Sequence, residues 1–185
     1  FILPAEKILS SKIRILTKNQ EAELAALGLL SNFPVKNGII ADLGGGSLEL
    51  VLISKGKIKK LVSLDIGHLV PVDQKEVLQL LESVKWLKKS KNLKLYGTGG
   101  SFRSLGSAFI KNTSYPLFLI HGLSINPETS VMLLDKMIDA KNKFPGIPQN
   151  RMPTIKNAAN IMQNLILSCD PKKVIICGTS IRDGI

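Results

Sequence analysis

The chain has 185 residues, 44% of them hydrophobic and 21% charged, enough for one globular domain with a sizeable core or for a domain plus a fragment. Its formal net charge of +11 favours anionic partners such as nucleic acid, anionic lipid or phosphate-rich small molecules, although a solvated lysine surface accounts for it equally. No apolar run nears the roughly 18 residues of a membrane span, and lysine clusters such as "KWLKKSKNLK" lack the interleaved aromatics of single-strand binders, so neither a membrane nor a specific nucleic acid is expected as partner.

The opening "FILPAEKILSSK" is broken by Pro4, Glu6 and Lys7 and does not read as a signal peptide. Residues 12–17, "KIRILT", alternate and predict a strand. "TKNQEAELAALGLL" then predicts a helix, with Thr17 and Gln20 at capping-box spacing and Glu21 in its first turn. Residues 38–43 and 48–54 predict two strands around Gly44, Gly45 and Gly46, and "KGKIKKLVSLDIG" predicts a third after a Lys-Gly turn. Short connections make these an antiparallel meander. "DQKEVLQLLESVKWLKKS" predicts one helix capped by Asp73, with Val77, Leu80, Leu81, Val84 and Leu87 as its apolar stripe.

"NLKLYG" predicts a strand that runs through a glycine turn into the helix "TGGSFRSLGSAF". Two helices follow, each with proline at its start. One begins at Asn126-Pro127, with Val131, Leu134, Met137 and Ile138 on one face. The other begins near Pro153, with Ile155, Ala158, Ala159, Met162, Leu165 and Ile166 on one face. "NKFPGIPQNRMP" between them reads as a proline-rich loop, "KKVIICG" as the last strand and "TSIRDGI" as a turn or helix. Cys169 and Cys177 fit neither a disulfide framework nor a metal knuckle; they read as buried apolar residues of a protein from a reducing cytoplasm. The order βββαβα..αβα predicts an α/β domain with a mixed five-stranded sheet and flanking helices. It is the order of the ribonuclease-H-like domain of the actin-like ATPase superfamily.

Asp42 closes one strand and Glu49 opens the next, so a hairpin turning at the glycines brings both to one end of the sheet. Turn geometry accounts for one or two of the glycines. Bare backbone at Gly44, Gly45, Gly46 and Ser47 also allows amides to converge into an anion-binding nest. Two carboxylates beside a phosphate suit Mg2+, which takes one or two carboxylates and completes its shell with water and phosphate oxygens. The alternative is a plain hairpin with two exposed acids. In "LYGTGGSFR", Gly99 and Gly100 open a helix whose N-terminus attracts anions, with Ser101 and Arg103 as donors; a tight turn with a surface arginine is the alternative. Two such loops at the strand ends of one sheet are explained together by a phosphate chain clasped from two sides. Glu21 by spacing alone is a dipole-favoured first-turn residue, and becomes a candidate general base only if it faces both loops.

These residues resemble the exopolyphosphatase / guanosine pentaphosphate phosphohydrolase family. Its "D-x-GGGS-x-E" matches Asp42 to Glu49, its "GxGGT-x-R" loop matches Gly97 to Arg103 with Ser101 for threonine, and its "S-L-P-L-G" and "G-L-R-E-G" stretches resemble "SLDIGH" and "GTSIRDG". The family's "SG-x-EEA-x-L" segment lies over "TKNQEAELAALG", which puts Glu21 on the catalytic glutamate, with Gln20 replacing its neighbouring acid and Lys18 the usual glycine. Leu48 stands where a threonine is usual.

The resemblance implies a bacterial, cytoplasmic acid-anhydride hydrolase, a homodimer when intact, that removes the terminal phosphate of inorganic polyphosphate or of guanosine pentaphosphate. It implies Glu21 as catalytic residue, Asp42 and Glu49 as magnesium ligands, and Gly44, Gly45, Gly46, Ser47, Gly99, Gly100, Ser101 and Arg103 as phosphate-binding residues. The family places its active site between two domains, and the first domain's "D-x-G-S-N-S" loop has no counterpart here. Residues 1–17 are thus expected to be a remnant of that first domain and 18–185 the second, with little activity by itself. A non-catalytic phosphate-binding module, favoured by Gln20 and Leu48, and a kinase or ATPase of the same superfamily are the alternatives.

Overall fold

A computed structural model describes residues 1–185. Two helices come first, α1 (Ile2–Leu9) and α2 (Lys18–Asn32). Three strands then form a meander: β1 (Asn37–Leu43), β2 (Leu48–Ser54) and β3 (Lys57–Leu64). The β2–β3 turn is Lys55-Gly56, both with positive φ, as a two-residue hairpin requires. Next come α3 (Gln74–Ser83), α4 (Lys85–Lys88), β4 (Lys94–Thr98), α5 (Gly99–Asn112), β5 (Leu123–Ile125), α6 (Pro127–Asp139), α7 (Met152–Cys169) and β6 (Lys173–Ile176). The strands make one sheet in the order β3-β2-β1-β4-β6-β5. β1, β4 and β6 are parallel, and the other pairs are antiparallel.

Both faces of this sheet are covered, which is why β1, β2 and β4 read as nearly continuous apolar runs. Ile39, Ala41 and Leu43 of β1 face the larger core, built with Leu81 of α3, Phe102 and Leu105 of α5, Leu134 of α6 and Ile155, Ala159 and Met162 of α7. Ile40, Val51, Tyr96 and Ile175 face the other way, against Ala22, Ala26 and Leu29 of α2. Small residues let α2 lie close. At Gly28 an added Cβ would meet the Ser180 carbonyl at 2.5 Å, because a short 3-10 turn, Ile181–Gly184, docks on this helix. The expected Thr17–Gln20 capping box fixes where α2 starts, and so where Glu21 stands.

The structure departs from the sequence reading in four places. The sheet has six strands, not five: Leu123–Ile125 adds an antiparallel edge on β6 that three residues could not announce. Residues 12–17 form no strand. A strand needs a ladder partner, and these mostly exposed residues lie against no strand of the sheet. The helix expected after Asp73 breaks at Val84 (φ −81°, ψ 79°), and Val84 at the break and Leu87 after it are both buried. Ser83 Oγ donates to Leu80 O at 2.6 Å just before the break, a side-chain bond that competes with helix continuation. In α6 it is Leu133, with Leu134 and Met137, that is fully buried, while Val131 and Ile138 are half-buried. No helix is long and apolar enough to cross a membrane.

Candidate active site

The sheet register aligns one polar row across four strands. Ser63 of β3 pairs with Glu49 of β2, Glu49 with Asp42 of β1, and Asp42 with Thr98 of β4. Residues directly opposite in a sheet project from the same face. That face is the one α2 covers, and the row lies at its end, past the last apolar neighbours Ile40 and Val51. Glu21, exposed in the first turn of α2, overhangs the row closely enough that its charge acts on both carboxylates. Glu21, Asp42, Glu49, both glycine loops and Arg103 therefore meet in one place.

Burial is the largest effect on the two acids. It pushes Asp42 above the usual carboxylate range; Thr98, beside it without a well-aligned hydrogen bond, and the Arg103 guanidinium pull it part of the way back, and Glu21 pushes it up again. Glu49 is 3% exposed and is pushed up for the same reason, countered by the hydroxyls of Ser47 and Ser63 and reinforced by the charges of Glu21 and Asp42. Ser63 Oγ donates to Glu49 Oε1 at 2.8 Å. Three acids thus stand close together at this end of the sheet, two of them held back from water. A cation there would relieve the stored repulsion. No cluster of three or more His, Cys, Asp and Glu side chains suited to a metal exists in the chain. Two carboxylates fit magnesium, which draws its other ligands from water and phosphate.

The three consecutive glycines are not there for turn geometry, contrary to the expectation that a turn needs one or two of them. None adopts the left-handed region. A Cβ on Gly46 would meet nothing within 4 Å, and one on Gly44 would make only an ordinary 3.5 Å contact. Gly45 alone is crowded, with Leu69 Cδ1 at 2.9 Å from such a Cβ. The amides of Gly45 and Gly46 donate to no protein acceptor. The bare face of this loop is open space bordered by unused donors.

The second loop is built differently. Gly99 has φ +84°, and a Cβ there would sit 2.5 Å from Asp42 Oδ1, so only glycine lets β4 turn into α5 against this carboxylate. Thr98 at the N-cap makes no side-chain cap bond, which leaves the first amides of α5 uncapped. Ser101 Oγ is buried without a hydrogen-bond partner. Gly100 is covered by a residue the sequence reading did not single out: the Arg151 guanidinium lies 2.2 Å (Nη2) and 2.5 Å (Nη1) from the position of a Cβ on Gly100. Arg151 sits in the stretch read as a proline-rich loop, in a 3-10 turn leading straight into α7. An arginine just before a helix is unremarkable in one dimension. Only the fold brings it over the other glycine loop.

The profile of the Ppx/GppA phosphatase family matches residues 1–185. Among solved structures, the Ppx/GppA family member of Aquifex aeolicus is similar over 99% of this chain and 66% of its own, at 21% identity and a TM-score of 0.76. An exopolyphosphatase from Cytophaga hutchinsonii is similar over 100% of this chain and 67% of its own, at 17% identity and a TM-score of 0.85. The chain spans about two thirds of the length of these relatives. At such identities the likeness speaks for the fold. No curated protein matches the chain.

Proposed function

Since the chain belongs to the Ppx/GppA phosphatase family, we propose that it forms the larger part of an exopolyphosphatase-like phosphohydrolase that hydrolyses the terminal phosphate of inorganic polyphosphate. The observation that carries this reading is the meeting of Glu21, the Asp42–Glu49 pair and two amide-lined glycine loops at one end of the sheet. Glu21 orients a water and takes its proton as the water oxygen attacks the terminal phosphorus. The bond from that phosphorus to the bridging oxygen breaks, and the shortened chain leaves with the oxygen. In the Gly44–Ser47 loop the free amides of Gly45 and Gly46, and in the second loop the amides of Gly99 to Ser101, with Arg103 and Arg151, hold the equatorial oxygens, where charge builds up. Asp42 and Glu49 would hold a magnesium ion, which would supply neutralisation of the phosphoryl charge.

The same reading includes a cytoplasmic homodimer in which a further domain of the protein closes the cleft. The net charge of +11 favours attraction of the rest of the polyanion. Orthophosphate release from long-chain polyphosphate and from guanosine pentaphosphate, run in parallel with Mg2+, tests the proposal on protein that includes the closing domain. Faster release from polyphosphate is expected. Faster release from guanosine pentaphosphate moves the assignment to a nucleotide 5′-phosphohydrolase. Tight phosphate binding with no release from either makes the protein a binding module.

A further inference from the structure

The segment after β3, "IGHLV" (66–70), packs under the first glycine loop and is held there from an unexpected direction. His68 N donates to Gly44 O at 3.1 Å, and Leu69 N donates to Gly45 O at 2.9 Å. His68 Nδ1 lies 2.7 Å from the same Gly44 oxygen. A carbonyl can only accept, so Nδ1 carries the proton. Gly67 closes the packing: a Cβ there would lie 2.1 Å from Gly45 O and 2.5 Å from Gly46 N, so no other residue fits without moving the loop.

These bonds have a consequence for the opposite side of the loop. In a trans peptide the C=O and the following N–H point in opposite directions. Turning Gly44 O toward His68 turns the Gly45 N–H away from it. Turning Gly45 O toward Leu69 does the same for the Gly46 N–H. Those two amides have no protein acceptor.

The 67–70 segment is itself pinned by one side chain. Asn157 Nδ2, on α7, reaches the carbonyls of Gly67 (3.0 Å), His68 (3.3 Å) and Val70 (2.6 Å). Three carbonyls around one terminal group fix it as the NH2 end of the amide. Six residues earlier, the same helix begins beside Arg151, which covers the second glycine loop. The 3-10 turn that leads into α7 therefore covers the second glycine loop through Arg151, and α7 itself reaches the segment under the first through Asn157.

We propose that Asn157 is a positioning residue for the first phosphate nest: it clamps the 67–70 segment, which keeps the Gly44 and Gly45 carbonyls turned inward and the Gly45 and Gly46 amides turned toward the substrate phosphate. This rests on the reading of that loop as a phosphate nest.

The test titrates the 15N-labelled chain with inorganic tripolyphosphate and Mg2+, for wild type, Asn157→Ala and Asn157→Asp. Asp keeps the shape of Asn but offers acceptors to three carbonyls. In the wild type the Gly45 and Gly46 amide resonances shift saturably. In both variants the apparent Kd is expected to rise about 10- to 100-fold, the scale of losing one hydrogen bond to a charged phosphate oxygen, with those two shifts reduced and resonances of the Lys55-Gly56 turn at the opposite end of the sheet unchanged. A residue that only stabilised the fold would lower the melting temperature and leave the Gly45 and Gly46 shifts intact. If Asn157→Asp does not fold, Asn157→Ala decides. Unchanged affinity and shifts in a folded variant overturn the proposal, as does failure of Asn157→Ala to fold, which makes the residue structural. Absence of tripolyphosphate binding by the wild type overturns the phosphate-nest reading along with it.

Discussion

Gly46→Ala separates stability from binding more cleanly than any other single change. Gly46 lies outside the left-handed region, and its Cβ would meet no atom of the chain within 4 Å. Replacing glycine by alanine at a compatible backbone position stabilises a protein by roughly 0.4–1 kcal/mol, mainly by restricting the unfolded chain. For a domain of this size that corresponds to a rise in melting temperature of about 1–4 °C. The space the methyl fills is the space assigned to a phosphate oxygen, beside two unused amides. Losing their charge-assisted hydrogen bonds, each worth about 1.5–3 kcal/mol, weakens tripolyphosphate binding at least about tenfold. Gly99→Ala is the contrast. Its φ of +84° and the 2.5 Å approach to Asp42 Oδ1 predict loss of both stability and binding, with a backbone cost alone of about 1–2 kcal/mol. Thermal denaturation and calorimetric titration with tripolyphosphate and Mg2+ read both quantities. A Gly46→Ala protein that binds as well as wild type refutes the nest.

Three further changes probe other parts of the site. Arg151→Lys keeps the charge but loses the fork of donors over Gly100, and is expected to weaken tripolyphosphate binding about tenfold in the same titration, with little change in melting temperature. Asp42 and Glu49 are raised above their unfolded values by burial, so their ionisation opposes folding: the stability they contribute is full below the unfolded carboxylate range and is lost as pH rises through the folded values. Asp42→Asn is therefore expected to melt higher than wild type at pH 7, with the gap closing at pH 3; equal melting temperatures at both pH values would show that burial carries no such penalty. On the proposal that Mg2+ is held by the ionised Asp42 and Glu49 carboxylates, its stabilisation of the wild type should grow as pH rises through their raised values and be lost in the Asp42→Asn, Glu49→Gln double variant.

Much of this fold was legible because its signals are local. The Thr17–Gln20 capping box and the Lys55-Gly56 turn set boundaries within a few residues of chain. The doubly covered sheet shows in apolar runs such as "GIIADL". What escaped was set by partners far away in sequence. Leu123–Ile125 is a strand only because it pairs with β6, and "KIRILT" is none because it pairs with no strand of the sheet. In the site, Asp42, Glu49 and the glycine loops stand out as a compact pattern. Arg151 and Asn157 do not, since one acts across a crossover on Gly100 and the other on backbone 87–90 residues away. The reason for the glycines was also misjudged from spacing: open space beside Gly46, rather than turn geometry, explains its bareness.

The central claim is that Glu21 activates the attacking water over a phosphate held by the two loops. It is tested most directly by orthophosphate release from polyphosphate with Mg2+, comparing wild type and Glu21→Gln in protein that includes the domain closing the cleft. The expected result is a turnover lower by about 10²–10⁴-fold, the range for a lost general base, with the affinity for tripolyphosphate nearly unchanged. Near-normal turnover in Glu21→Gln would contradict it.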